Sequence, residues 1–128
     1  MKKRILVADD EGAVVKILKD RFTHWGYEVE TASDGEEAVK KVESFEPHLI
    51  LLDLKMPKIA GLEILERTKK KHPHIGILIL TASQSKGTFR TCLEKGADGY
   101  MLKPFKPENI KAYVENILNA MEKDSTRD

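Results

Sequence analysis

The chain has 128 residues, one domain's length, and its 41% hydrophobic and 34% charged content is ordinary for a globular protein. A formal net charge of +1 gives no reason to expect nucleic acid or an anionic membrane as the main partner, and no apolar run exceeds four residues, so nothing reads as a membrane-spanning helix. The single cysteine, Cys92, excludes an intramolecular disulfide and fits a reducing cytoplasm, and the apolar stretch after Lys2, Lys3 and Arg4 is too short for a signal-peptide core.

Short apolar runs then alternate with amphipathic stretches five times. "RILVA" (4–8) reads as a strand ending at Asp9-Asp10. Residues 13–25 follow as a helix with Val14, Leu18, Phe22 and Trp25 on one face, stopped by Gly26. "YEVETA" (27–32) alternates as a strand with one polar side. Ser33-Asp34-Gly35 opens a second helix, with Glu36 and Glu37 complementing its dipole and Ala38, Val39 and Val42 as its buried stripe. "LILL" (49–52) reads as a strand buried on both faces. Yet it ends in a lone carboxylate, Asp53, and burying an unpaired charge is costly.

After Met56-Pro57, Gly61 opens a third helix carrying Leu62, Ile64 and Leu65 and ending in Lys69-Lys70-Lys71, an exposed basic terminus. "IGILIL" (75–80) is the fourth strand, running into Thr81. A thin fourth helix follows, with only Phe89, Cys92 and Leu93 to bury. "DGYML" (98–102) is the fifth strand, ending at Lys103-Pro104. Residues 107–121 make the clearest helix, with Ile110, Val114, Ile117, Leu118 and Met121 at helical spacing. The expected domain is residues 1–121, with 122–128 a polar C-terminal tail. His72 and His74 flank Pro73 and read as solvated loop residues rather than metal ligands.

Five strands alternating with five helices imply an α/β fold, a parallel sheet with helices on both faces, because parallel strands need crossover connections. In such sheets functional groups collect beyond the carboxyl ends of the strands. The residues at those ends are Asp9, Asp10, Asp53, Thr81 and Lys103, so positions distant in sequence should share one pocket. Each has a plainer reading when taken alone. Asp9-Asp10 would cap a helix, Thr81 would merely end a strand, and Lys103 would be a solvated loop lysine. All of these readings would have to hold at once across four strand tips.

With "ILVADDE" (5–11), "LLDLKMPKIAG" (51–61), "ILTAS" (79–83) and "GADGYMLKPF" (96–105) in this order, the sequence resembles a receiver domain of the response-regulator family of two-component signalling, over residues 4 to about 121. The resemblance is to a single-domain, chemotaxis-regulator-like receiver. It implies a flavodoxin-like sheet of order 2-1-3-4-5. It makes Asp53 the phosphoacceptor, with Asp9 and Asp10 holding Mg²⁺ and the backbone carbonyl of Lys55 as a further ligand. Thr81 and Lys103 would hold the phosphoryl oxygens, Thr81 and Tyr100 would act as switch residues, and Lys103-Pro104 would be a cis peptide. The donor would be a sensor histidine kinase or phosphotransfer protein, and the output an altered surface formed by the fourth helix, fifth strand and fifth helix. That surface would meet a downstream protein target, with no nucleic acid or membrane bound directly. Ala60, where an acid or small polar residue often precedes the glycine, and Lys55 depart from the commonest pattern.

The residues can support this chemistry. Packed carboxylates repel one another, and a hard dication with oxygen ligands relieves that repulsion. Phosphoryl transfer needs mainly positioning and charge neutralisation, and Asp53 as covalent nucleophile would form an acyl phosphate. Such a protein would be no enzyme beyond its own phosphorylation and dephosphorylation. The rival reading is a magnesium-dependent phosphohydrolase of the haloacid-dehalogenase type, which places an acid two residues after its nucleophile; here that residue is Lys55. Flavin binding on the same fold would want a phosphate loop after the first strand, and "DDEGAV" is acidic. No stretch reads as a DNA-binding or enzymatic output domain, so the expectation is a stand-alone receiver or a piece of a longer regulator.

Overall fold

The computed structural model describes residues 2–125. In chain order the elements are β1 (Arg4–Ala8), α1 (Gly12–His24), β2 (Glu28–Ala32), α2 (Gly35–Phe45), β3 (Leu49–Leu52), α3 (Gly61–Lys71), β4 (Gly76–Thr81), α4 (Lys86–Glu94), β5 (Gly99–Leu102) and α5 (Pro107–Ser125). All strand pairs are parallel, and the sheet order is β2-β1-β3-β4-β5, as the sequence reading expects.

The apolar runs are continuous because both faces of the central strands are covered. Period-two alternation divides them between two cores. Leu6, Ala8, Ile50, Leu52, Ile77 and Ile79 face α2, α3 and α4, meeting Ala38, Val42, Ile64, Leu65 and Cys92. Ile5, Val7, Leu49, Leu51, Leu78 and Leu80 face α1 and α5, meeting Leu18, Phe22, Ile110, Val114 and Ile117.

Local chemistry sets the element ends. Gly26, at φ +97°, supplies the left-handed residue that ends α1. Asp34 caps α2 by accepting from the Glu37 N–H at 2.8 Å. The far end of α2 is closed by Arg4, whose Nε donates to the carbonyls of Phe45 and Glu46 at 3.1 and 2.9 Å.

Four details depart from the sequence reading. Phe89 and Leu93 are 44% and 47% exposed, so α4 is attached through Cys92 alone among its buried residues. The reason is its position: it covers the edge strand β5, none of whose residues is fully buried. Lys69 is not a solvated helix end, because its ammonium lies 2.7 Å from Asp98 with the side chain mostly buried. His72 is partly buried and its Nε2 sits 2.7 Å from Glu43 Oε2 on α2. The helix α5 continues past Met121 to Ser125, into the segment read as a tail; residues 126–128 lie outside the described residues.

These packing differences set unequal costs. Truncating Ile50, fully buried at the centre of the sheet, is expected to destabilise the fold by about 2–5 kcal/mol, whereas Leu93→Ala should stay within about 0.5 kcal/mol. Urea unfolding of both variants measures the difference; equal losses would mean that Leu93 is core.

Candidate functional site

Strand register brings the acids together. Ala8 pairs with Leu52, so the next residues, Asp9 and Asp53, leave adjacent strands side by side. Their backbones are fixed by ladder-like bonds: Asp53 N–H to the Ala8 carbonyl at 2.9 Å and Asp9 N–H to the Ala32 carbonyl at 3.0 Å. Both carboxylates are nearly buried, Asp9 at 2% and Asp53 at 5% exposure, while Asp10 is exposed. Thr81 pairs with Leu102, and the Lys103 N–H donates 2.8 Å to the Thr81 carbonyl, which sets Lys103 on the other side of the pocket. The Lys103-Pro104 bond is cis, as the sequence reading expects.

The Lys103 ammonium lies 2.8 Å from Asp9 Oδ2, 2.7 Å from Glu11 Oε1 and 3.4 Å from Asp53 Oδ2. Burial alone would lower its pKa, but the hydrogen bonds to Asp9 and Glu11 and the charges of Asp9 and Asp53 outweigh this and hold it above the usual lysine range. For Asp53 burial dominates in the other direction and pushes the carboxyl above the usual range. The Lys55 N–H, donating at 3.2 Å to Oδ1, opposes the shift, and the charge of Asp9 adds to it. Asp9 Oδ1 also accepts from the Glu11 N–H at 2.9 Å. The residue capping α1 is Glu11, not Asp10, and its side chain makes no capping bond.

Asp9, Asp10 and Asp53 each offer a carboxylate oxygen, all within 4.8 Å of one another, the one such acidic group among the described residues. Oxygen ligands on opposite sides of a bound Mg²⁺ or Ca²⁺ stand roughly 4–5 Å apart, so the donor set suits a hard divalent cation. Thr81 is buried, its Oγ1 accepting from the Ser83 N–H at 3.2 Å. Tyr100 stands apart from the acids and is partly exposed. Its hydroxyl donates 3.0 Å to the Ser83 carbonyl, and its ring meets Phe89 edge-on at 5.2 Å. Of the expected residues, Asp9, Asp10, Asp53 and Lys103 gather beyond the carboxyl ends of the strands; Thr81 ends β4 with its carbonyl bonded to the Lys103 N–H, and Lys55 touches Asp53 through its amide.

Two residues were not read from the sequence. Glu11 is one; a third acid directly after Asp9-Asp10 was the available signal. Ser83 is the other, and it joins Thr81 to Tyr100 through backbone groups that leave no trace in residue type.

The chain is similar to known proteins in sequence and in overall fold. The family model described as "Response regulator receiver domain" matches residues 5–115. The alkaline phosphatase synthesis transcriptional regulatory protein PhoP of Bacillus subtilis is 44% identical over 122 residues, covering 95% of this chain and 51% of that protein. The probable transcriptional regulator ycf27 of Cyanophora paradoxa is 41% identical over 121 residues, covering 94% and 50%. The chain thus spans about half the length of these curated relatives. Among solved structures, a CheY-like response regulator receiver domain protein from Methanospirillum hungatei superposes with a TM-score of 0.93 at 33% identity, covering 97% of this chain and 99% of that one. The chain belongs to the response-regulator receiver family. Receiver domains are phosphorylation-based switches of two-component signalling and take their phosphoryl groups from histidine kinases. Among the described residues, no helix is long and apolar enough to cross a membrane.

The raised Asp53 pKa carries a stability consequence. An acid whose folded pKa lies above its unfolded value binds more protons in the native state, so stability falls as pH rises through that window and stays lower above it. Without divalent cations, Asp53→Asn should therefore be the more stable protein at neutral pH, by about 1 kcal/mol, with the gain vanishing below about pH 4. Chemical denaturation at both pH values in EDTA tests it.

Proposed function

We propose that Asp53 accepts a phosphoryl group from a histidine kinase or phosphotransfer protein and that this alters the surface formed by α4, β5 and α5. The observation that supports it best is the placement of Asp53: a nearly buried carboxylate beside two further acids and a lysine ammonium 3.4 Å away. In this reading Asp9, Asp10, Asp53 and the backbone carbonyl of Lys55 hold Mg²⁺. The cation supplies charge neutralisation that lets one anion approach another. Asp53 presents its oxygen to phosphorus; the O–P bond forms as the P–N bond to the donor histidine breaks, leaving an acyl phosphate. Lys103, already bridging Asp9 and Asp53, neutralises the phosphoryl oxygens, and the Thr81 hydroxyl donates to one of them.

The same groups suggest how the signal leaves. Turning Thr81 toward the phosphoryl group removes the acceptor of the Ser83 N–H, and the Ser83 carbonyl is the partner of Tyr100. Tyr100 then moves relative to Phe89 on an exposed face shared with Leu102 and Tyr113. The weak attachment of α4 favours such movement, since few buried contacts mean low local stability. In this reading the receiver domain works in the cytoplasm, turns over only its own phosphoryl group and passes the signal on through protein contacts. A phosphohydrolase is disfavoured because Lys55 stands where a second acid would serve.

Acetyl phosphate with Mg²⁺ should label wild-type protein once and shift amide signals at residues 84–105, and Asp53→Asn should abolish both. Label retained on that variant, or labelled wild type with unmoved signals, would refute the switch. In a second measurement, Asp10→Ala should weaken Mg²⁺ binding by about tenfold or more, the scale seen when groups around a metal are lost. An unaltered titration would remove Asp10 from the ligand set.

A further inference from the structure

The connection between β3 and α3, residues 53–60, is held in an unfavourable backbone shape by contacts outside the acidic pocket. The Ile59 N–H donates 2.9 Å to the Pro57 carbonyl, closing a γ-turn over Lys58, whose φ is +71°. A γ-turn of that hand is rare and strained for a residue with a side chain, and it persists where the surroundings over-determine it. Here the surroundings are the first turn of α2. The Gly35 N–H donates 3.0 Å to the same Pro57 carbonyl, and a Cβ at Gly35 would stand 2.1 Å from the Ile59 carbonyl oxygen. Only glycine permits that approach.

Asp34 adds a charge clamp. One oxygen caps α2 and the other lies 3.5 Å from Lys58 Nζ, with Glu36 at 4.0 Å from the same ammonium. At its far end the connection is pinned by Gly61, where a Cβ would lie 2.5 Å from the Asp53 carbonyl oxygen. Between the pins is the Lys55 peptide, whose N–H donates to Asp53 Oδ1.

We propose that the first turn of α2 is a positioning element for the site: Gly35 and the Lys58–Asp34 pair hold the Lys55 peptide against Asp53 and so set the pocket's affinity for a divalent cation. This inference rests on reading Asp53 and Lys55 as parts of a cation-binding phosphoacceptor site. Neither Gly35 nor Lys58 touches the reacting atoms; both act through the backbone of residues 55–59.

The test is Mg²⁺ calorimetry together with amide hydrogen exchange at Lys55 in metal-free protein. Gly35→Ala should raise the Mg²⁺ dissociation constant about tenfold and Lys58→Ala about threefold, both with faster Lys55 exchange, in keeping with the effect of groups that orient metal ligands. Gly87→Ala on α4, where a Cβ meets Ser85 Oγ at an ordinary 3.5 Å, should behave as wild type. Adding Lys58→Gly to Gly35→Ala should restore affinity to within about threefold, because glycine adopts the left-handed φ freely and lets the connection move around the new methyl. Wild-type protein that binds no Mg²⁺ overturns the reading of the site itself. Wild type that binds, with Gly35→Ala and Lys58→Ala unchanged in affinity, overturns the positioning role alone. If Gly35→Ala does not fold, Lys58→Ala decides, weakened binding supporting the proposal and unchanged binding overturning it. Weakened binding without faster Lys55 exchange or rescue marks a global effect and likewise overturns it.

Discussion

A carboxylate cannot be buried at the end of a hydrophobic strand without compensation, and the architecture at this edge of the sheet follows from that constraint. Asp53 and Asp9 are nearly inaccessible and adjacent, which is unfavourable for both as anions. The Lys103 ammonium answers part of the charge, reaching Asp9 and Asp53 from the opposite side of the pocket. To be there it needs β5 beside β4, which needs both crossovers and hence the whole doubly covered sheet. The remaining negative charge suits the pocket to a hard dication. Stability is thus given up locally at the site proposed to bind the cation.

The two faces of the sheet bear unequal shares of the structure. The layer formed by α1 and α5 is sealed by Phe22, with Trp25 and Tyr27 both meeting its ring edge-on, and by four buried residues of α5. The opposite layer is dense under α2 and α3 and thins at α4, where Cys92 is the buried anchor. A hydrogen-bonded path leads from Thr81 through Ser83 to Tyr100 and ends against Phe89 on that thin helix. The site therefore connects most directly to the part of the fold with the least packing to resist displacement.

Sequence reasoning reached most of this because the signals were periodic. The continuous apolar run 49–52, and Gly61 with the lysines that end its helix, placed β3 and α3 at their observed bounds, and the strand tips pointed to Asp9, Asp10, Asp53 and Lys103, which lie together. It failed where spatial context decides. Phe89 and Leu93 are apolar and helically spaced, yet they lie exposed because the strand below them is the sheet edge. Lys69 belongs to a basic run, yet its ammonium is held by Asp98, 29 residues away, which no composition rule foretells. Glu11 is hard to single out because a third acid in a row signals negative charge without showing that Lys103 reaches it as well as Asp9. The contact of Gly35 with the β3–α3 connection is invisible for a similar reason: a helix-opening glycine looks the same whether or not another backbone lies against it.

The span of the site along the chain has a consequence for biosynthesis. Lys103 and Asp9, now 2.8 Å apart, are separated by 94 positions, and Lys103 is held by a bond to the end of β4. A nascent chain that has emerged only through β4 already contains all three acids but not the lysine that faces them. Until β5 leaves the ribosome, Lys103 cannot reach that cluster of negative charge. The pocket therefore acquires its ammonium only after the chain has been made through Lys103, long after the acids that face it.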